Sequence, residues 1–481
     1  MRSRILGREY ECERLQECLE SENAQLIIVY GRRRVGKTFL INEFFEDHLA
    51  FRLTGAYGQS TEYQLRHFQT ELKRRSGLHQ DEPKNWTDAF DEMRTYLEGL
   101  PFTEKQVIFL DELPWLCAED NEFLTAFEWF WNDWASTQHH LIFVVCGSAT
   151  SWMVEHISDN KGGLFNRKTC SLFLKPFTLF QTEQFLLQRH IHWSRYEIAE
   201  CYMIMGGIPY YLNLLSNKIS YVENIDRLFF QERGELWDEF DHLYRTLFRN
   251  SEKYIRIVEA LSERSGGLSR EALIQKTGYP NNGLFTKMLD DLISSGFVRV
   301  IRYYQQKKKD ALYQLSDYYT AFYFRFLKDQ AGRDEHFWRN GIDYPGRRAW
   351  AGLTFEQLCK DHIPQIKRRL GISGVLSDEY VWYTKNAGDS GSPGAQIDLV
   401  IERRDRVIHL CEMKFSINEF VIDKDYDMKL RNKIEAFRRE TNSRKTLLMT
   451  LITTYGVAQN QYRYIAQSQI VLDDLFEQVH P

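Results

Sequence analysis

Three short runs of consecutive apolar residues mark the first third of the chain: Gln25-Leu-Ile-Ile-Val-Tyr30, Gln106-Val-Ile-Phe-Leu110 and Leu141 to Cys146. Runs of this length without alternation predict strands buried on both faces, as in a parallel sheet. Stretches of helical periodicity, Thr61 to Arg75 and Glu122 to Trp134, lie between them. Strands alternating with helices predict an α/β layer structure. In the second of these helices Phe127, Trp131 and Trp134 recur at i, i+4 and i+7, one face that serves either a core or a partner.

Beyond about Pro176 the buried-strand pattern stops and helical periodicity runs from Thr182 to Leu215 and on to about Asn250. A compact set follows: helices at Glu252 to Ser262, Ser269 to Thr277 and Asn282 to Ser294, then strand-like Phe297 to Arg302 and Ala311 to Leu315 on either side of Lys307-Lys308-Lys309. Three helices and a hairpin are the layout of a winged helix-turn-helix. From about Arg333 a helix at Phe355 to Arg369 leads into strands Gln396 to Glu402 and Val407 to Phe415, a helix Met428 to Glu440 and a strand Thr446 to Ile452. The Gly- and Ser-rich loop Asn386 to Gly394 joins two strands.

The 481 residues suggest about three domains. A content of 43% hydrophobic and 27% charged residues excludes long disordered or fibrous segments. The net charge of -5 provides no general positive field, so contact with nucleic acid must come from local patches. No apolar run approaches the roughly 20 residues of a membrane span, and the first residues lack a signal peptide's apolar core. A soluble cytoplasmic protein with no membrane partner is expected. The eight cysteines are scattered singly with no CxxC pair, which predicts reduced thiols rather than a zinc site.

Gly31-Arg-Arg-Arg-Val-Gly36-Lys37-Thr38 matches G-x-x-x-x-G-K-[ST], between a buried strand and the helix Phe39 to Asp47, as a phosphate-binding loop requires. The candidate nucleotide contacts are Gly31, Arg34, Val35, Gly36, Lys37, Thr38 and Phe39. The glycines let backbone N–H groups converge on phosphates, Lys37 reaches the β and γ groups, and Thr38 offers a hydroxyl to magnesium. Asp111-Glu112 ends a strand where open α/β sheets bind ligands. Asp111 is a candidate for the magnesium shell and Glu112 for orienting and deprotonating water, while Ser148 is a candidate γ-phosphate sensor or a plain turn serine. A kinase would need an acceptor site and a GTPase an Asn-Lys-x-Asp base reader. Neither is recognisable, which favours ATP with Mg2+.

The phosphate loop, Phe109-Leu-Asp-Glu112, Cys146-Gly-Ser148, Leu164-Phe-Asn-Arg167, Leu174-Lys-Pro-Phe177 and Gly206-Gly-Ile-Pro209 occur in this order. Together they resemble the archaeal-type ATPases of the STAND class, relatives of AAA+ proteins. The resemblance covers roughly the first half of the chain and includes a winged helix after the core. It implies that Arg167 contacts the γ-phosphate, that Gly207-Ile-Pro209 belongs to a lid-linked motif, and that ATP loading drives homo-oligomeric assembly with slow turnover.

In the expected winged helix, Asn281, Asn282, Thr286 and Lys287 on the third helix, with Arg299, Arg302 and Lys307 to Lys309 on the hairpin, suit groove and phosphate contact. The same module also serves as a rigid spacer. Near the C-terminal end, Asp398 lies in Gln396-Ile-Asp-Leu-Val-Ile401 and Glu412-Met-Lys414 closes the next strand. Residues two apart on a strand share a face, so Glu412 and Lys414 project together, whereas Glu71 and Lys73, the same triplet on a helix, do not. If the strands turn near Asp405, residue 398 lies opposite 412.

Two carboxylates and an ammonium suit metal-dependent phosphodiester hydrolysis. The arrangement resembles PD-(D/E)xK restriction-endonuclease-like nucleases, with Ile397-Asp398 in place of Pro-Asp and Glu356 similar to their additional acidic ligand. A solvated hairpin face with a salt bridge and an inactivated fold that only binds DNA are the alternatives. The expectation is thus an α/β multidomain chain: a P-loop ATPase core at 1–175, a helical lid at 176–250, a winged helix at 251–330 and a nuclease-like domain at 331–481. Asp398, Glu412 and Lys414 are its candidate catalytic residues beside Glu112. Thr38, Asp111, Glu356, Asp398 and Glu412 are its candidate metal ligands, and ATP and DNA its partners.

Overall fold

A computed structural model of the chain describes residues 5–77, 82–117, 122–158, 167–248, 250–306, 311–328, 334–384 and 394–479. Residues 164–166, Lys307 to Lys309 and most of the Asn386 to Gly394 loop, singled out above, lie outside the described residues. The chain divides into two compact units. One comprises Met1–Pro176 and His242–Ser251, the other Phe177–Asp241 and Glu252–Pro481.

The first unit is built on a five-stranded parallel sheet: β1 (Gln25–Tyr30), β2 (Leu49–Thr54), β3 (Gln106–Asp111), β4 (Leu141–Gly147) and β5 (Cys170–Phe173), in the order β2-β3-β4-β1-β5. The continuous apolar runs occupy its three inner strands, and every residue of β4 is buried. Parallel pairing requires crossover connections that cover both faces, which is why those strands show no alternation. Helices Trp86–Glu98 and Glu122–Asp133 turn Phe90, Phe123, Phe127 and Phe130 into one aromatic cluster. Phe127, Trp131 and Trp134 are buried there, so their shared face is core.

In the second unit, helices Leu179–Gln188 and Arg195–Met205 begin at capping boxes on Thr178 and Ser194, which satisfy the first free backbone N–H groups. The span expected as one lid is thereby divided between the units: 177–241 belongs to the second and 242–251 to the first. Arg195–Met205 is buried continuously from Ile198 onward and packs on helices Tyr318–Phe322 and Pro345–Asp361. His362 joins these layers. Its Nε2 accepts the Leu179 N–H at 3.1 Å while Nδ1 lies 2.8 Å from the Leu358 carbonyl, an arrangement that requires a neutral ring protonated on Nδ1.

Helices Ser251–Ser262, Arg270–Thr277 and Gly283–Ser294 accompany a small antiparallel sheet of β6 (Leu268–Ser269), β7 (Val298–Ile301) and β8 (Leu312–Leu315), ordered β6-β8-β7. A second five-stranded sheet follows: β9 (Ser377–Thr384), β10 (Ala395–Arg403), β11 (Val407–Lys414), β12 (Thr446–Thr453) and β13 (Ser468–Val471), ordered β13-β12-β11-β10-β9. The first three are antiparallel, and helix Lys424–Thr441 provides the crossover that lets β12 run parallel to β11. The two sheets are stitched together beyond β7. Tyr304 N–H donates to Val381 O, and Val381 N–H donates to Arg302 O, both at 3.0 Å, which satisfies part of the edge of β9.

Candidate nucleotide site and C-terminal charge cluster

The ends of β1, β3 and β4 bring the predicted nucleotide residues together. Gly31 leaves β1 at φ 145°, where a Cβ would stand 2.3 Å from the Leu174 carbonyl oxygen, so only glycine fits the close approach to the chain entering from β5. Gly36, at φ 91°, turns the loop into helix Lys37–Phe44. The buried Lys37 ammonium donates to Gly31 O at 2.8 Å, to Arg32 O at 3.0 Å and to Ser148 Oγ at 3.0 Å. All three acceptors are uncharged. Val35 is buried and Phe39 half exposed, while Arg34 holds a left-handed φ of 70° in the loop.

Across the sheet, Thr38 Oγ1 donates to Asp111 Oδ2 at 2.8 Å. The hydroxyl and carboxylate are hard oxygen donors of the kind magnesium takes along with water and phosphate oxygens, so these residues fit that ion. Glu112 follows with φ 48° and ψ 51°, a left-handed conformation uncommon outside glycine and enriched at functional sites. Its carboxylate receives Ser148 Oγ at 2.6 Å and the Ser148 N–H at 3.2 Å. Ser148 therefore ties Lys37 to Glu112. Arg167 is exposed and makes no hydrogen bond or ion pair among the described residues, so the structure does not join it to this network.

Residues 5–215 match the model of a family described as an ATPase domain predominantly from Archaea. Over these residues the chain is similar to that ATPase domain. An uncharacterized protein of Methanocaldococcus jannaschii is 26% identical over 375 residues, which are 76% of this chain and 78% of that one. An uncharacterized ATP-binding protein of Methanocaldococcus jannaschii is 50% identical over 43 residues, 9% of this chain and 73% of that one. Among solved structures, the Walker-type ATPase paby2304 of Pyrococcus abyssi is 18% identical with a TM-score of 0.47, over 68% of this chain and 97% of that one. Among the described residues no helix is long and apolar enough to cross a membrane.

The phosphate loop has a further support that sequence reasoning missed. Arg8, buried ahead of the first helix, donates through Nη2 to Val35 O at 3.1 Å and to Lys175 O at 2.9 Å. Nothing local singles out Arg8; its role appears only when the loop is folded back over it. In the second unit, Phe177 N–H donates to Gly207 O at 2.6 Å, and a Cβ on Gly207 would overlap Phe177, so the two expected motif segments meet there through backbone alone.

At the C-terminal sheet, the β10–β11 register ends with Leu399 opposite Cys411, and Asp398 and Glu412 are the next residues on the two strands. Asp398 is buried and accepts the Met413 N–H at 3.2 Å. Burial raises its pKa, and the neighbouring Glu412 charge raises it further. Burial, followed by Asp398, also pushes Glu356 up to about 7. Glu412 behaves oppositely: burial acts to raise its pKa, but Lys414 and Lys433 hold it below the usual carboxylate range. One Glu412 oxygen lies 3.0 Å from Lys414 Nζ and accepts from Tyr426 Oη at 2.7 Å, and the other accepts from Lys433 Nζ at 2.6 Å.

Among the described residues no three His, Cys, Asp or Glu side chains are grouped to hold a metal ion. Glu356, Asp398 and Glu412 are neighbours in charge. Lys360, Lys433 and Tyr426 went unnoticed in the sequence. Lys360 is one turn after Glu356 on the same helix, and Tyr426 and Lys433 are seven apart on the crossover helix, spacings that a search for partners of Glu356 and Glu412 would find.

Proposed function

We propose that the protein is an ATP-hydrolysing switch whose second unit, with a winged helix and a nuclease-like sheet, engages DNA. The observation that carries the ATP part is the buried Lys37 ammonium with three uncharged acceptors, at the N-terminus of a helix and beside a glycine-shaped loop. A buried charge without a counter-ion is costly, and phosphate supplies one. Thr38 and Asp111 would hold magnesium, which shields phosphate charge when bound. Glu112 takes the proton of the attacking water, Ser148 orients Glu112 and meets the γ-phosphate, and Arg167 stabilises that phosphate from the domain edge.

Coupling to the second unit follows from connectivity, since the chain passes between the units at three points, around residues 176, 241 and 251. ATP-dependent self-association is the expected output, as in the STAND class. The nuclease-like reading rests on the order helix, three antiparallel strands, crossover helix and parallel strand, with Asp398 on β10 and Glu412 and Lys414 at the end of β11. A second reading, in which this domain binds DNA without cutting it, is favoured by the two lysines and the tyrosine that occupy both oxygens of Glu412.

Calorimetry with Lys37→Ala tests the first part: ATP binding is lost with the fold retained, and undiminished affinity would sink it. Plasmid nicking in Mg2+ or Mn2+ separates the two readings of the second unit. Cutting that disappears in Asp398→Ala and Glu412→Ala selects the nuclease, and DNA binding with no cutting selects the other.

A further inference from the structure

A cavity of about 430 Å3 opens within the second unit between the small antiparallel sheet and the C-terminal sheet. One wall carries Glu356, Lys360 and Asp398, the charged cluster described above. Tyr303 and Tyr383, whose ring centroids are 4.9 Å apart at an interplanar angle of 55°, line it as well, as does the exposed Arg264. Lys360 makes no hydrogen bond among the described residues; it lines the cavity beside Glu356 and Asp398, whose charges attract it while burial acts against its charge. The backbone bonds between Tyr304, Val381 and Arg302 hold the two sheets in place.

We propose that this cavity takes one unpaired nucleotide of a single DNA strand, with the base against the Tyr303 and Tyr383 rings and its phosphate toward Lys360 and Arg264. The volume lies within the range of roughly 300–1,000 Å3 that holds a small ligand. It can receive a nucleotide and cannot receive a duplex. Aromatic faces accept any base by stacking, and a separate cation tracks the backbone, which is the division of labour in single-strand binding. A polar edge is supplied by Gln396, whose side chain lines the same cavity. The inference rests on the reading of the second unit as DNA-binding and names the form of DNA that it recognises.

One cation of the hairpin is engaged within the unit. Arg299 is paired with Asp361 at 2.7 Å, and the chain at Arg302 is bonded to β9.

Fluorescence anisotropy of the full chain with dye-labelled oligothymidylate and with a blunt duplex, both in EDTA, tests the proposal without any cleavage. The single strand is expected to bind at least about tenfold more tightly. Tyr383→Ala, at a half-exposed position where folding is not at stake, should weaken that binding by about 5- to 150-fold while Tyr383→Phe retains it. Lys360→Met should flatten the dependence of log affinity on log salt by about 0.7. Equal affinity for the two DNAs, or a Tyr383→Ala protein that binds as wild type does, would overturn the proposal. A parallel incubation in Mg2+ keeps the readings apart: single-strand preference without cutting retires the nuclease and leaves the cavity assigned, whereas cutting without the preference does the reverse.

Discussion

The Ser148 hydroxyl donates to Glu112 Oε1 at 2.6 Å, and its own oxygen, Ser148 Oγ, accepts from the Lys37 ammonium at 3.0 Å. One side chain from the end of β4 thus sets the position of the residue proposed to activate water. Ser148→Ala should lower the ATP turnover number by about 10- to 100-fold, part of the contribution of a positioned base, and change affinity for a non-hydrolysable analogue much less. Steady-state hydrolysis together with calorimetry measures both. A turnover number equal to wild type would show that Glu112 is held by other means.

The two loop glycines make a contrasting pair. At Gly31 an added Cβ meets the Leu174 carbonyl oxygen at 2.3 Å, and Leu174 cannot retreat without giving up its N–H bond to Tyr30 O at 2.8 Å. At Gly36 a Cβ meets nothing within 4 Å, so alanine there bears only the cost of a left-handed backbone, roughly 1–2 kcal/mol. Gly31→Ala should therefore destabilise the first unit by more than about 3 kcal/mol, well beyond Gly36→Ala. Denaturant unfolding of the nucleotide-free proteins gives the order, and the reverse order contradicts the packing argument.

What the sequence discloses depends on where a strand sits. β1, β3 and β4 are internal and buried on both faces, so they read as apolar runs. β2 and β5 are the edges of that sheet: β2 carries Arg52, and β5 has four residues that alternate between buried and exposed, too short and mixed to stand out. β9, another edge, begins Ser377-Asp-Glu and was likewise illegible. The phosphate loop is contiguous and was readable in full. Arg8 is 27 residues from Val35, and Lys433 is 21 from Glu412 across a crossover, so both required the tertiary path of the chain.

Lys433 gives a prediction for the second unit. Its ammonium is 2.6 Å from the Glu412 carboxylate, which is almost fully buried, and Lys414 meets the other oxygen. Removing one cation leaves part of a buried negative charge uncompensated, a loss of about 3 kcal/mol. Lys433→Met should cost that much, whereas Lys429→Met, on the exposed face of the same helix, should stay within about 0.5 kcal/mol. If chemical denaturation finds the two variants equal, Lys433 is not the counter-ion that its position implies.

His409 sets a pH dependence whose sign follows from its contacts. Nε2 lies 3.3 Å from the Arg403 guanidinium, which can only donate, and Nδ1 lies 3.0 Å from Thr450 Oγ1, so the ring is neutral with its proton on Nδ1. Burial, followed by the Arg403 charge, lowers its pKa to about 4, with Asp405 acting weakly in the other direction. In the unfolded chain the value returns to about 6.5. Above that pH neither state binds the proton. Between about 6.5 and 4 the unfolded chain takes a proton that the folded one refuses, so stability falls as pH falls and levels off below about 4. At pH about 4.5 the loss is roughly 2 kcal/mol. His362, also lowered by burial, adds a loss of the same sign. His409→Gln keeps a donor for Thr450 and an acceptor for Arg403 but cannot titrate. The difference in unfolding free energy between pH about 7 and about 4.5 should therefore shrink by roughly 2 kcal/mol in this variant, with the His362 contribution cancelling in the comparison. An unchanged difference would place the acid sensitivity elsewhere in the unit.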